Sequence, residues 1–518
     1  MSDPQGAAQD DIAAIARGGR TNFLGFFLRL AARIPFLFIA GRMPQYGPEA
    51  LGRFASALVV IELVAMICSL GEKRGLAQRL SEGEERPANV VADGVLLSLT
   101  LSCTAAGLLW LFPAPLFPSG HYSAIDRLIV LAIPPLALTE IWLAGLAYRF
   151  NVGATVRARA IVEPWTLSLM AGAMAFVAPV GGLSLAYMIS IYAAALAAAW
   201  PFYKTYGMPE AWRPRPRELV RLMMRTAPLA TADTIEWGTR RLDIFILGLF
   251  ASPAVVGIYY VAQQVASLPQ KLKTSFEPIL GPVITRSLKE RDYAAIARQV
   301  CQVGFWITAA QAGIALALGI PGEGVMGLIG PQFVGGTGAL AFLLAAEVVA
   351  ATAVVSEAAL IYVARKRNML ISIAMLMIEA GLAAALILIM RDEGLPQAYQ
   401  ATGPAIALCV ALGFASLTKS WLLKKELGES VSGWRWNIGW AAAAAVAVGL
   451  PTRYFLPQIW QLIVAVPAIL AAFGAVLWTK GFGPEDRALF RLNKSDVREL
   501  REAEEAALAR DQAQDDIV

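Results

Sequence analysis

The sequence predicts an all-α polytopic membrane protein of about fourteen transmembrane helices. Three observations carry that prediction. Of 518 residues, 57% are hydrophobic and only 16% are charged, and the mean hydropathy is +0.57; a typical soluble domain is about 25% charged. The apolar residues fall in blocks of roughly 20, the length that crosses a ~30 Å hydrocarbon core at about 1.5 Å per residue. Lysine and arginine gather in every second gap between those blocks. Together these exclude a soluble enzyme, a secreted disulfide scaffold and a disordered chain.

Taken in order, the apolar stretches bounded by Gly, Pro or charge predict helices over 22–41, 51–70, 88–112, 126–148, 159–178, 183–203, 223–250 and 254–276. The series continues over 294–320, 338–362, 368–390, 402–423, 437–456 and 458–479. The first and seventh carry internal charges. The last two are separated only by a short polar break.

The basic residues test this count independently. If the N-terminus is inside, the inner gaps hold Lys73, Arg74, Arg79 and Arg86, then Arg149, Arg157 and Arg159, then Lys204 and the arginines from 213 to 221. Further along they hold the cations of 286–298, 365–367 and 419–435, and both tails are basic near the helices. The outer gaps hold only Arg42, Arg391 and Arg453. This is the positive-inside asymmetry, and one missed helix would destroy it. It places both termini in the cytoplasm. The net charge of +5 therefore reports topology, and no nucleic-acid partner is expected. The acidic start MSDPQGAAQDD is not a signal peptide, so the first apolar block stays in the chain.

The outer gaps are short, and none is long enough to form a catalytic domain. His121, the one histidine, reads as a surface residue of such a loop. Cys68, Cys103, Cys301 and Cys409 lie inside apolar blocks without paired spacing, so neither a disulfide nor a metal site is expected. The chain has no GxxxxGK[ST] phosphate loop, no metal-ligand cluster and no nucleophile–base arrangement, and no cofactor is expected. This is a transporter's inventory, not an enzyme's.

The longest early polar break is KTYGMPEAWRPRPRELVR, 204–221, whose Arg-Pro alternation cannot continue a helix. It divides the chain into a cytoplasmic tail (1–21), a first lobe of six helices (22–203), a linker (204–222) and a second lobe of six (223–425). A helix pair (426–480) and a charged tail (481–518) follow. A repeat supports the division. Pro48, Gly52 and Phe54 open helix two with the same spacing that Pro253, Gly257 and Tyr259 show at helix eight, 205 residues later. A parallel repeat about an axis along the membrane normal is a known transporter design.

Those segments also carry a resemblance. Gly47-Pro-Glu-Ala-Leu-Gly-Arg-Phe, the stretch from Arg241-Leu-Asp-Ile-Phe through Gly257-Ile-Tyr-Tyr to Leu268-Pro, and Gly330-Pro-Gln-Phe-Val-Gly with the later Ala364-Arg-Lys-Arg are similar to segments of the polysaccharide-unit flippases. These belong to the multidrug/oligosaccharidyl-lipid/polysaccharide (MOP) exporter superfamily. The likeness spans roughly residues 20 to 425. It implies two lobes in a V around a central cavity that opens alternately to either side. The implied cargo is an undecaprenyl-diphosphate-linked oligosaccharide for O-antigen, exopolysaccharide or a related surface glycan. Glycan polymerases and glycosyltransferases are the implied partners, besides membrane lipids.

Charges inside the membrane are costly and mark pairs, wet cavities or helix ends. Arg29 and Arg33 share a face of helix one, and helices seven and eight add Arg240, Arg241, Lys271 and Lys273. Against them stand Asp233, Glu236, Asp243 and Glu277. The six cations are the candidate ligands of a diphosphate, which the guanidinium fork suits. Arg240 has Glu236 one turn away, whereas Arg241 has no same-face acid on its own helix. Glu62, Asp93 and Glu140 are open to two roles: structural partners of Arg29 and Arg33, or carriers of a coupling ion. Glu347, Glu357 and Glu379 could line the opposite wall or pair across to Arg365 and its neighbours. Trp142, Trp165, Trp237 and Tyr259 could stack on sugars, anchor at the interface or fill the core. Three other functions remain open: a lipid II flippase, a cation-coupled multidrug exporter, and a scaffold for glycan assembly. The topology is checked by fusing a reporter active only in the periplasm. It should be active after residue 116 or 332 and silent after 84, 212 or 430; activity at 212 would overturn the two-lobe reading.

Overall fold

The computed structural model describes residues 34–82, 86–149, 151–273, 284–431, 434–483 and 486, and among them there is no strand. The first predicted helix is described only as α1, residues 34–42. After it come α2 (Pro48–Cys68), the short α3 (Glu72–Glu82), α4 (Pro87–Leu111), α5 (Asp126–Tyr148), α6 (Gly153–Val177) and α7 (Gly182–Tyr206). Then follow α8 (Pro216–Phe250), α9 (Pro253–Lys273), α10 (Tyr293–Gly319), α11 (Gly322–Ile329), α12 (Thr337–Val363) and α13 (Arg365–Asp392). The last are α14 (Thr402–Leu427), α15 (Trp436–Phe455) and α16 (Gln458–Gly481). Ten helices among the described residues are long and apolar enough to cross a membrane.

Three boundaries differ from the sequence reading, each for a local reason. Pro216 takes the first turn of α8, where its missing N–H costs nothing. The helix therefore starts seven residues before the expected 223, and the irregular linker shrinks to 207–215. Glu210 and Trp212 tie that linker to α4: Arg86 pairs with Glu210, and Trp212 Nε1 donates to Asp93 at 2.9 Å. Helix five begins near residue 152, because residues 156–162 continue it in π-helical form. Arg157 and Arg159 are thus part of α6 and not loop cations. Finally, Arg53 and Arg127 sit near the cation-poor end, just inside α2 and α5, in addition to the three cations expected there.

Buried side chains sort into three cores, and their arrangement shapes the molecule. At the end holding Tyr46, Phe117 and Phe333, apolar residues of α2, α5, α7, α9, α12, α13 and α14 fuse into one core. It follows α2 from Leu51 near that end to Cys68 near the cation-rich end and joins helices of both halves along the seam. Two smaller cores flank it. One joins α3 to α7 through Leu76, Val91, Ile141, Leu146 and Phe202. The other joins α10, α12 and α14 to α16 through Ile296, Leu360, Leu423, Ile438 and Ile469. In lipid, apolar burial gives helices no net drive to associate, so close approach through small residues must do so. Ala405, Ala411 and Ala415 of α14 are fully or nearly fully buried accordingly.

The apex, at the cation-poor end, is where the repeat noted in the sequence meets itself. A Cβ on Gly52 would lie 1.6 Å from the Pro253 carbonyl oxygen, and one on Gly257 would lie 1.9 Å from that of Pro48. Each glycine thus receives the other repeat's proline carbonyl, which brings α2 and α9 into backbone contact. Beside this crossing, the Arg42 guanidinium reaches across to the carbonyls of Leu328 (2.8 Å) and Gly327 (3.3 Å) at the C-terminus of α11, where a cation is favoured. Gln332 returns a bond to the Gly41 carbonyl at 2.6 Å.

The C-terminal pair is fixed to the second bundle by Asp486. It is buried and accepts from Trp306 Nε1 (2.7 Å) and Arg435 (2.7 Å), while Arg435 also stacks 3.9 Å above the Phe305 ring. At the cation-rich end, Arg225 of α8 grips Glu82 of α3 and holds its carboxyl below the usual range. Gly71 packs there on Leu229. Because no relaxation short of separating two backbones can admit a Cβ at Gly52, Gly52→Ala should cost more than the ~1–3 kcal/mol of ordinary overpacking. Gly107→Ala, with open space around it, is the control. Thermal unfolding in detergent should show a clear drop for the first and none for the second.

Candidate functional site

About halfway down the seam between the two bundles lies a layer of polar side chains. Glu62 stands 14 residues into α2, about 21 Å from the apex end. Arg241 of α8 meets it twice, Nε at 3.0 Å and Nη2 at 3.3 Å from the two carboxylate oxygens. This two-pronged pair connects one bundle to the other at mid-depth. Its side chains are 22% and 28% exposed, so the pair borders accessible space rather than sealed core. Arg241 Nη1 also donates to Gln263 of α9 at 3.2 Å.

On the first bundle's side, the π-helical stretch of α6 carries Arg159 between two acids. It pairs with Glu140 of α5 and, at 2.8 Å, with Glu163 one turn on. A π-bulge shifts the face a helix presents and recurs at functional sites; here it turns Arg159 toward α5. Tyr187 of α7 is within electrostatic reach of both Arg159 and Glu163 and also of Glu62 and Arg241, which puts the two groups in one neighbourhood.

On the second bundle's side, Asp243 is fully enclosed. It accepts from Tyr259 Oη (2.6 Å), Gln263 Nε2 (3.0 Å) and the Ile244 backbone N–H (2.8 Å). Glu379 of α13 is 1% exposed, and neither of its carboxylate oxygens has a hydrogen-bond partner. It lies close enough to Asp243 for the two acids to influence each other. A buried carboxyl without a donor or a cation is costly when ionised. Among the described residues Glu379 is thus a buried acid that no hydrogen-bond donor meets.

Set against the sequence-predicted residues, the layer is redistributed. Arg29 and Arg33 lie outside the described residues, as do the side chains of Lys271 and Lys273 in α9. Arg240 pairs with Glu236 at 3.1 Å on an exposed stretch. Arg241 does have an acid on its face, Glu62, contributed by another helix. Asp93 bonds the linker tryptophan and Glu140 bonds Arg159. Glu357 pairs with the buried Lys419 at 2.9 Å. Trp142, Trp237 and Tyr259 are buried in the cores, whereas Trp165 is exposed. Sequence reasoning missed Arg159, because a π-helical stretch continues the helix past the expected boundary. The i,i+4 spacing of Arg159 and Glu163 was the available signal. Among the described residues no cluster of His, Cys, Asp and Glu could hold a metal ion, and all four cysteines are free.

A bundle of this kind, with ten helices among the described residues long and apolar enough to cross a membrane, is a polytopic helical membrane fold. The chain belongs to the polysaccharide biosynthesis protein family, whose profile matches residues 46–310. No curated protein matches it in sequence. In structure it is similar to the lipid II flippase MurJ in an inward closed conformation, at 11% identity over 88% of this chain and 98% of that one (TM-score 0.67). It is also similar to an inward-facing multidrug resistance MATE family transporter of the MOP superfamily, at 14% identity over 78% of this chain and 98% of the other (TM-score 0.62). A third likeness is to a MOP superfamily transporter from Pyrococcus furiosus Vc1 (DSM3638), at 14% identity over 81% and 95% of the two chains (TM-score 0.54). The MOP exporter fold expected from the sequence is the fold observed.

Arg159 is the counter-charge to two acids, so its removal leaves both unpaired. Arg159→Met should lower the abundance of membrane-inserted protein severalfold. Adding Glu140→Gln and Glu163→Gln in the same chain should restore it. A quantitative blot of the membrane fraction beside the parent protein reads both outcomes.

Proposed function

We propose that the chain is a flippase that carries a lipid-linked oligosaccharide from the cytoplasmic to the periplasmic leaflet by alternating access. The observation that carries the reading is the charged seam between the two bundles, where Arg241 of α8 meets Glu62 of α2 at partly exposed side chains. The bundles cross backbone to backbone at the cation-poor end, and Arg225 with Glu82 joins them at the cation-rich end. By the positive-inside rule the cation-rich end faces the cytoplasm, which is where a lipid-linked sugar is assembled. On this proposal that contact opens to admit cargo, and both termini lie in the cytoplasm of an inner membrane protein. In this reading 22–203 and 223–425 are lobes that rock about the apex. The linker, irregular over 207–215, spans them at the cytoplasmic face, and the pair 426–480 rides with the second lobe through Asp486.

The family, concerned with polysaccharide biosynthesis, supports a glycan cargo over a drug. An undecaprenyl-diphosphate-linked repeat for O-antigen, exopolysaccharide or a related surface glycan fits best, with Arg29, Arg33, Arg240, Arg241, Lys271 and Lys273 as the cations available to its diphosphate. A guanidinium grips phosphate through a fork of donors, which a carboxylate-lined drug cavity would not offer. Glycan polymerases or glycosyltransferases are the natural partners. The acids first considered for ion coupling, Glu62, Asp93 and Glu140, all have partners, whereas Glu379 has no hydrogen-bond partner among the described residues. Glu379, beside Asp243, is the coupling group of this reading.

The test is reconstitution of the full chain into vesicles with an undecaprenyl-diphosphate-linked oligosaccharide on one side, following its arrival on the other. Transfer should rise with an imposed proton gradient and be lost in Arg33→Ala. Glu379→Gln should keep gradient-free exchange and lose the gradient's effect. Full gradient-driven transfer by Glu379→Gln would remove that residue from coupling. Transfer of lipid II alone would replace the cargo.

A further inference from the structure

We infer that Glu62 is a built-in stand-in for the cargo's phosphate. In the empty protein it occupies the Arg241 fork and thereby locks the two bundles together, and an anionic diphosphate releases the lock by taking its place. The inference rests on the flippase reading and adds to it a means by which loading is sensed.

Four observations support it. The pair is two-pronged, with Arg241 Nε and Nη2 at 3.0 and 3.3 Å from the two oxygens of one carboxylate. That is the geometry in which a guanidinium also takes two oxygens of a phosphate. The pair joins α2 to α8 between the apex, which backbone packing keeps shut, and the Arg225–Glu82 contact at the cation-rich end, so breaking it removes the charged tie in the middle of the seam. Its members are 22% and 28% exposed, so a ligand entering between the bundles can reach them. The rest of Arg241's surroundings does not depend on Glu62. Gln263 accepts from Arg241 Nη1 at 3.2 Å and is itself held by Asp243 through its amide at 3.0 Å. The fork therefore stays in place when its acid leaves.

The competition has a definite sign. Glu62 offers one negative charge, and its bonds in the structure go to Arg241. A diphosphate offers more charge and more acceptor oxygens, and in a low-dielectric seam that difference is amplified. A neutral sugar or a cationic drug cannot displace the carboxylate. The lock thus selects for an anionic headgroup before the lobes move. Arg240 is held differently: its acid, Glu236, lies on the same helix and joins nothing across the seam.

The experiment uses the full chain in detergent and in vesicles, with inorganic pyrophosphate and undecaprenyl diphosphate as probes. Spin labels at positions 78 and 221, on exposed residues of α3 and α8, report the separation of the bundles at the cation-rich end. In the parent protein either probe should shift the distance distribution. Glu62→Gln should show the shifted distribution without a probe and bind pyrophosphate about tenfold more tightly. Arg241→Gln should also start shifted but respond to neither probe. The exchanged pair Glu62→Arg with Arg241→Glu should restore the unshifted distribution. A merely structural pair would instead lower abundance in every single variant, and the exchange would restore everything. If Glu62→Gln leaves both distribution and affinity as in the parent while Arg241→Gln loses binding, the lock is wrong and the diphosphate site stands. If pyrophosphate binds Arg241→Gln as it binds the parent, the phosphate reading of this arginine fails with it.

Discussion

The rest of the structure depends on one crossing, that of the peptide backbones at the start of α2 and α9. Helices in lipid gain little by hiding apolar surface from one another, so what joins them must be packing that lipid chains cannot match. A glycine in each repeat accepts the other's proline carbonyl, at a distance no side chain would tolerate. This fixes the apex and sets the depth of α2 relative to α8. That depth in turn brings Glu62 level with Arg241. The seam's chemistry is a consequence of register established some 20 Å away.

The same crossing explains which parts of the fold were legible in the sequence. Helix number followed from block length and the alternation of Lys and Arg, because both are imposed by the membrane on each segment separately. The repeat was legible too, since Pro and Gly mark helix starts and close approaches wherever they fall. Pairing across the seam was not. Glu62 and Arg241 are 179 residues apart, and neither helix shows in its own pattern which face turns to the other. Arg159 was assigned to a loop because a π-helical stretch leaves no compositional trace. Pro216 misled in the opposite way: proline ends helices when interior and starts them when first, and only the backbone distinguishes the two.

The two bundles treat their acids differently, and the difference bears on mechanism. In the first bundle Glu140 and Glu163 share Arg159, and Asp126 accepts from Ser184 (3.0 Å) and faces Arg53 at 3.4 Å. In the second bundle Asp243 accepts from Tyr259 and Gln263 within electrostatic reach of Arg241, and among the described residues Glu379 has no hydrogen-bond donor. An acid fixed by a cation resists a change of charge. An acid without one changes charge readily when its surroundings rearrange. In the proposed flippase reading, the bundle that carries Glu379 is the one suited to register an ion, and the seam the place suited to register an anionic cargo.

A cavity for an anion need not keep bare cations waiting. Among the described residues of the layer, Arg159, Arg240 and Arg241 each have a carboxylate partner, so on the proposed reading a phosphate would enter by exchange. Exchange has a physical advantage in this setting. An unpaired guanidinium at mid-membrane would cost several kcal/mol in the empty state and would bind any anion. A paired one is stable when empty and yields only to a ligand that outmatches the acid. The acid it releases faces the opened space and can be hydrated there. The energy of loading is then expressed as loss of a contact between the bundles rather than as a tight resting complex, which is what a carrier that must let go of its cargo requires.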